Sequence, residues 1–371
     1  MLENQYYARI KPFIPKGEKM FQQFKHTAWK ASLLASLGVV ILLATLSVSG
    51  AAASGTVTYN PLVATMISNV SQAELEPAVK DLTGVTSPVI GGSPYTILTR
   101  GSSSGVPIDK AEQYLYETLQ SYGLSSVSYQ NYPGKGGVVP GGRNIIGEIT
   151  GSTSPDEIVV IGCHVDNQPW GAPVAPGADD NASGCSANLY LARAFAGKSF
   201  ARTIRFVFFG SEENAPWTSK TYGSGYYADQ ANAAGEDIVA MIEADALAYN
   251  AGSAPAEGRV VEMHRRRGKK SPAAEQAILT MWHDVIATYG ITGLNATDYA
   301  KSMKLSDHGS FWTYYPDVPA VLLIEQSEDA TNPNWHTTGD TILTFNWTYY
   351  VQVTRTLVGL AAHQAQIIST Q

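Results

Sequence analysis

Residues Ile158 to Gly184 read IVVIGCHVDNQPWGAPVAPGADDNASG, and this stretch decides the fold. It opens on a short apolar, largely β-branched run, the pattern of a strand buried on both faces of a parallel sheet. The run stops at His164 and Asp166. A Gly/Pro-rich loop then delivers Asp179 and Asp180, and an apolar helical pattern resumes at Ser183. Ligands of open α/β sheets bind beyond the carboxyl ends of the strands, so an imidazole and carboxylates placed there mark a site rather than a turn.

Working outward, the same arrangement recurs. The buried run Ile204–Gly210 ends in Ser211-Glu212-Glu213, and Ile238–Glu243 ends beside Asp245. The run Val321–Glu325 is followed by the loop that holds Trp335-His336 and Asp340, and Ser306-Asp307-His308 sits in a further glycine-containing loop. Asn144–Ile149 and Glu157–Cys163 read as strands. Leu62–Leu82, Asp109–Tyr122, Ser183–Ala196, Pro272–Tyr289 and Phe345–Ile368 have helical spacing, with Ser71 and Glu74 as a capping box. Alternating strands and helices predict an α/β fold: a three-layer sandwich with a mostly parallel central sheet flanked by helices. If the strands are neighbours, their carboxyl ends bring His164, Asp179, Glu213, Asp245 and His336 to one rim.

Two imidazoles and three carboxylates form a nitrogen and oxygen donor set suited to zinc, with cobalt or manganese as competitors. Five donors exceed what one tetrahedral ion needs, and two ions can share them if one carboxylate bridges.

The chain begins on a basic segment, residues 1–30, with six Lys and Arg against Glu3 and Glu18. The uncharged apolar run 31–53 that follows is close to the ~20 residues that span a bilayer. It predicts one N-terminal transmembrane helix, with the basic tail in the cytoplasm and the remainder outside. Ala51-Ala52-Ala53 also reads as a small-residue cleavage site, leaving a secreted form open. Residues 54–61 read as a linker and 62–371 as the functional domain. The whole chain of 371 residues carries a net charge of −7; without the tail, 19 basic groups face 30 acidic ones, which excludes nucleic acid as an expected partner. Cys163 and Cys185, the two cysteines, are too few for a disulfide framework and wrongly spaced for a thiolate metal site. They read as small buried apolar residues, with one bridge between them left open. The run HRRRGKK at 264–270 reads as an exposed basic loop between a strand and a helix.

The succession GCHVDN, GADDNASG, FGSEE, EADAL, SDHGSFW and HTTGDT resembles the di-zinc aminopeptidase family that includes the bacterial leucyl aminopeptidases, with glutamate carboxypeptidase and glutaminyl cyclase as relatives. The resemblance runs from Leu62 to the C-terminus. It implies a metal-dependent aminopeptidase acting on peptides with a free N-terminus through two zinc ions. Asp179 would bridge them, Glu213 and His336 would complete one site, and His164 and Asp245 the other. It further implies Glu212 as the general base, which takes a proton from the attacking water and passes it to the leaving amine. Asp166 would fix the tautomer of His164. A cis peptide would link the bridging residue to Asp180, and Asp307 and His308 would support the floor of the site. The family's oxyanion tyrosine is absent, with Met303 at the nearest position and Tyr299 four residues earlier. Two other readings stay open: a glutaminyl cyclase-like acyl transferase with one zinc, and a non-catalytic binding ectodomain of the same fold.

Overall fold

The apolar run that opens the decisive stretch is the inner part of strand β5 (Ser154–His164), buried on both faces from Ile158 onward. In this computed structural model, which describes residues 57–136, 140–169, 171–214, 219–250, 259–268, 273–325 and 332–368, β5 lies near the middle of an eight-stranded sheet. The other strands are β3 (Ser126–Tyr132), β4 (Gly142–Ile149), β6 (Arg202–Phe209), β7 (Asp237–Ala244), β8 (Val260–His264), β9 (Asn295–Tyr299) and β10 (Ala320–Glu325). A separate two-stranded ribbon pairs β1 (Val89–Ile90) with β2 (Ser93–Pro94).

Strand order is β3-β4-β6-β5-β7-β10-β8-β9. The central strands β6, β5, β7 and β10 run parallel, as do β8 and β9, while β3·β4, β4·β6 and β10·β8 are antiparallel. The chain leaves β5 for β6 on one side and then crosses to β7 on the other, so His164 stands at the carboxyl end of the strand where the order reverses. That crevice is where open α/β sheets bind ligands.

Alternation along the strands makes the layers. Val159, Ile161, Cys163, Phe206, Phe208, Ile242 and Leu323 face one core. Against it lie α1 (Pro61–Asn69), α2 (Gln72–Leu82), α3 (Val106–Ser121), α4 (Gly184–Phe195), α6 (Ala273–Thr288) and α8 (Trp347–Gln364). Ile158, Val160, Val207, Phe209 and Met241 face the second core, beneath α5 (Gly223–Ala234) and α7 (His308–Tyr314).

Three local readings change. The helical segment 62–82 is two helices, and Ser71 makes no side-chain cap; Glu74 pairs with Arg193 instead, so the capping box is not formed. The basic run is not a wholly exposed loop: His264 ends β8 and is buried, and Arg266 is buried against Glu275 at 2.7 Å, while Lys269 and Lys270 lie outside the described residues. Cys163 and Cys185 are buried and unbridged. The tail 1–30 and the apolar run 31–53 also lie outside the described residues, among which no helix is long and apolar enough to cross a membrane.

Candidate metal centre

Five chain segments converge beyond the carboxyl ends of the parallel strands. β5 delivers His164, whose Nδ1 lies 3.1 Å from the backbone carbonyl oxygen of Asp166. A carbonyl can only accept, so this bond places a proton on Nδ1 and leaves Nε2 as the nitrogen that faces the rim. The Asp166 carboxylate is 3.9 Å from that nitrogen and is used otherwise: it accepts the backbone N–H groups of Glu212 at 2.9 Å and Glu213 at 3.2 Å. The tautomer of His164 is thus set by the main chain of Asp166, and its side chain anchors the segment after β6.

In the turn Ala178–Ser183 the aspartate that faces both imidazoles is Asp180, one residue beyond the Asp179 expected there. Asp179 Oδ1 accepts the Ala248 N–H at 2.8 Å and its Oδ2 accepts from the Asn332 amide at 3.2 Å, so both oxygens are spent on neighbouring loops. Asp180 takes the shared position: its Oδ1 lies 3.2 Å from His164 Nε2 and its Oδ2 3.2 Å from His336 Nε2. The cis peptide joins Asp180 to Asn181, not Asp179 to Asp180. Two adjacent aspartates on a turn point in different directions, and sequence does not say which direction faces the rim. Asp340 holds the turn, accepting the N–H of Asp179 at 3.0 Å and of Asp180 at 3.0 Å. Nothing in the residue pattern gives Asp340 this task except its place four residues after His336.

Asp245 Oδ1, just past β7, lies 3.3 Å from His164 Nε2, and Glu213 Oε2 lies 3.1 Å from His336 Nε2. Two groups result, His164–Asp180–Asp245 and Asp180–Glu213–His336, each with donor atoms within 4.8 Å of one another. Glu212 belongs to neither, though it is buried beside them. Gln168 donates to Glu213 Oε2 at 2.7 Å, and Trp335, half exposed, stacks on the His336 ring at 3.6 Å. Ser211, Ala246 and His336 adopt positive φ (62°, 46° and 57°) without being glycine, and all three flank the site, where such strain is commonly held. Asp307 and His308 are fully buried; His308 Nε2 donates to the Met303 carbonyl at 3.0 Å. Tyr299 stacks on His264, 4.2 Å away.

The electrostatics show how negative the rim is. Burial opposes charge on His164, yet Asp245, Glu212 and Asp180 hold its pKa well above the imidazole range. His336 is raised to about 9: burial works against it, but its bonds to Asp180 and Glu213 outweigh that. Burial would lift Asp180, and its bonds to both imidazoles instead bring it below the usual carboxylate range. Burial lifts Glu213 to about 7 and Asp166 to about 6. Burial, then the field of Asp307, lifts Glu212 well above a normal glutamate.

These residues fit a pair of divalent ions. Tetrahedral donors ~2.0–2.1 Å from zinc stand ~3.3–3.4 Å apart, close to the spacings here. Glu213 Oε1 is buried without a hydrogen-bond partner among the described residues, which leaves a carboxylate oxygen of that group uncommitted.

The family model described as peptidase family M28 matches residues 144–361, more than half of the chain and all five candidate donors. A probable aminopeptidase of Saccharomyces cerevisiae is 26% identical over 226 residues, covering 58% of this chain and 56% of its own length. The chain therefore spans about half the length of that relative. The crystal structure of the LapA aminopeptidase of Legionella pneumophila superposes with a TM-score of 0.64 at 18% identity, covering 84% of this chain and 76% of that one. The glutaminyl cyclase of Macrostomum lignano gives 0.66 at 18% identity, covering 86% and 97%. At such identities the two structures speak for the fold.

Proposed function

This chain belongs to peptidase family M28, a metallopeptidase family, and from that premise we propose that it is a two-zinc aminopeptidase. The observation that carries the reading is the single carboxylate of Asp180 set between two imidazoles, each with its own further acid. His164, Asp180 and Asp245 would hold one ion and Asp180, Glu213 and His336 the other. Bound zinc supplies Lewis acidity, polarising a carbonyl and making water a better nucleophile at neutral pH.

The chain's residues do the rest. Glu212, next to a donor but outside both groups, takes the proton from the attacking water and delivers it to the leaving amine. Asp166 keeps Glu212 in place through its backbone N–H. The carboxylates of the rim favour a substrate whose reacting end carries a free amino group, hence a peptide N-terminus. Residues 31–53 are proposed to anchor the chain in the membrane with the catalytic domain outside, a reading supported by the basic tail of residues 1–30 before them.

Metal content and turnover on aminoacyl substrates, measured together on the native chain and on Glu212→Gln, test the proposal. Two ions in both proteins with activity only in the first is the expected result; equal activity in Glu212→Gln overturns the role of the base. For the second reading, a glutaminyl cyclase-like acyl transferase, one ion per chain and a pyroglutamate product are the outcome. No metal in either protein selects the binding-domain reading.

A further inference from the structure

Arg100 is 1% exposed, and among the described residues it makes no ion pair. Its guanidinium donates to four backbone carbonyls instead: Nε to Val165 at 2.8 Å, Nη1 to Leu82 at 2.6 Å and to Pro176 at 2.7 Å, and Nη2 to Gly177 at 2.8 Å. Its backbone N–H donates to Asn167 Oδ1 at 3.0 Å, and the Asn167 amide donates to the Ala175 carbonyl at 2.6 Å. Taking a cation out of water without a carboxylate beside it is costly, so the location of those carbonyls matters. Val165 directly follows His164. Pro176 and Gly177 are the last residues before the turn that carries Asp179 and Asp180. One planar fork therefore spans the two segments that bring His164 and Asp180 to within 3.2 Å of each other. Its charge also lies in the fields of Asp340, Asp180 and Asp166.

We propose that Arg100 is a positioning residue of the His164–Asp180 centre: the fork sets how far the end of β5 stands from the Asp180 turn, and so sets the affinity of that centre for a divalent cation. This rests on the two-zinc reading. Lysine keeps the charge, but its single ammonium on a flexible stem cannot reach four carbonyls in a plane.

The test is zinc affinity by competition with a chromophoric chelator on the full chain, at a temperature where thermal unfolding shows each protein folded. The proteins are native, Arg100→Lys, Asn167→Ala and Arg266→Lys. Arg266 is the structural control, a buried arginine bonded to Glu275 and to the carbonyls of Pro316 and Val318. Arg100→Lys is expected to weaken zinc binding by about 10–100-fold, the usual effect of losing a group that orients a ligand, and Asn167→Ala in the same direction by less. Arg266→Lys lowers Tm and leaves zinc affinity unchanged. Native affinity in Arg100→Lys, or an equal loss in Arg266→Lys, overturns the inference. If Arg100→Lys does not fold, Asn167→Ala decides, and native affinity there overturns it. A native chain that binds no zinc overturns the two-zinc reading and this inference together, an outcome distinct from native binding with unaffected variants.

Discussion

The carboxylate of Asp166 accepts the backbone N–H of Glu212 at 2.9 Å, so a residue at the end of β5 sets the position of a side chain that follows β6. The second oxygen of the same carboxylate takes the N–H of Glu213 at 3.2 Å. Asp166→Ala leaves two buried amides without acceptors. It is expected to lower kcat by about 10–100-fold and stability by about 1–3 kcal/mol. Asp166→Asn, which keeps one acceptor oxygen, falls between. Steady-state kinetics and urea unfolding on the three proteins check this; equal kcat in all three would remove Asp166 from the site.

Asp179 and Asp180 provide a sharper contrast, because they are neighbours of the same chemistry with different surroundings. Asp180→Asn is expected to reduce zinc affinity by more than about 100-fold, since one carboxylate serves both donor groups. Asp179→Asn still offers an oxygen to the Ala248 N–H, and a loss below about tenfold is expected. Zinc titration of both variants checks the order, and the reverse order would restore Asp179 to the shared position.

Proton linkage predicts how the zinc-free protein responds to pH. His336 has a folded pKa of about 9 against an ordinary value of 6.5, and His164 is shifted in the same direction. A raised imidazole pKa stabilises the fold fully below the unfolded value and loses that contribution as pH rises through the folded one. Tm of the protein in chelator should therefore fall between about pH 6.5 and pH 9. Zinc replaces the protons, so the zinc-loaded protein should show a flatter profile in the same window. Parallel profiles with and without zinc would contradict the assignment of the two imidazoles to the ions.

Gly184 begins α4 where the helix meets β7. A Cβ there would stand 2.1 Å from the Ala244 carbonyl oxygen and 2.3 Å from Asn181 Oδ1. The first contact is backbone, which cannot step aside, so Gly184→Ala should cost about 3 kcal/mol or more. It should also displace the turn that carries Asp180. Thermal unfolding in chelator and zinc titration measure the two effects separately; a variant with native Tm and native affinity would show that α4 is not seated there.

Much of this is legible in the residue pattern. Apolar runs ending in acids and imidazoles define strands and mark their carboxyl ends, because burial on both faces of a parallel sheet demands continuous β-branched and aromatic residues. β5, β6, β7 and β10 stand where those runs predict, and His164, Glu213, Asp245 and His336 meet at one rim. Strands β3 and β9 were not readable. β9, Asn-Ala-Thr-Asp-Tyr, lies at a sheet edge with partial burial and has no apolar run to announce it; the central sheet is mostly parallel, as expected, with β3·β4, β4·β6 and β10·β8 as its antiparallel pairs.

The sequence by itself determined the order of the strands along the chain, the residue types that reach their ends and the family to which they belong. It could not decide between two adjacent aspartates, since that depends on which way a turn faces once Asp340 has capped its amides and Ala248 and Asn332 have taken up Asp179. Nor could it show that Arg100 lies under the site, because its partners are main-chain carbonyls, which every residue has and no side-chain pattern reveals. Side-chain chemistry is local and can be read in one dimension; most of the hydrogen bonds that aim it join residues from 46 to 161 positions apart, and only the folded chain brings those together.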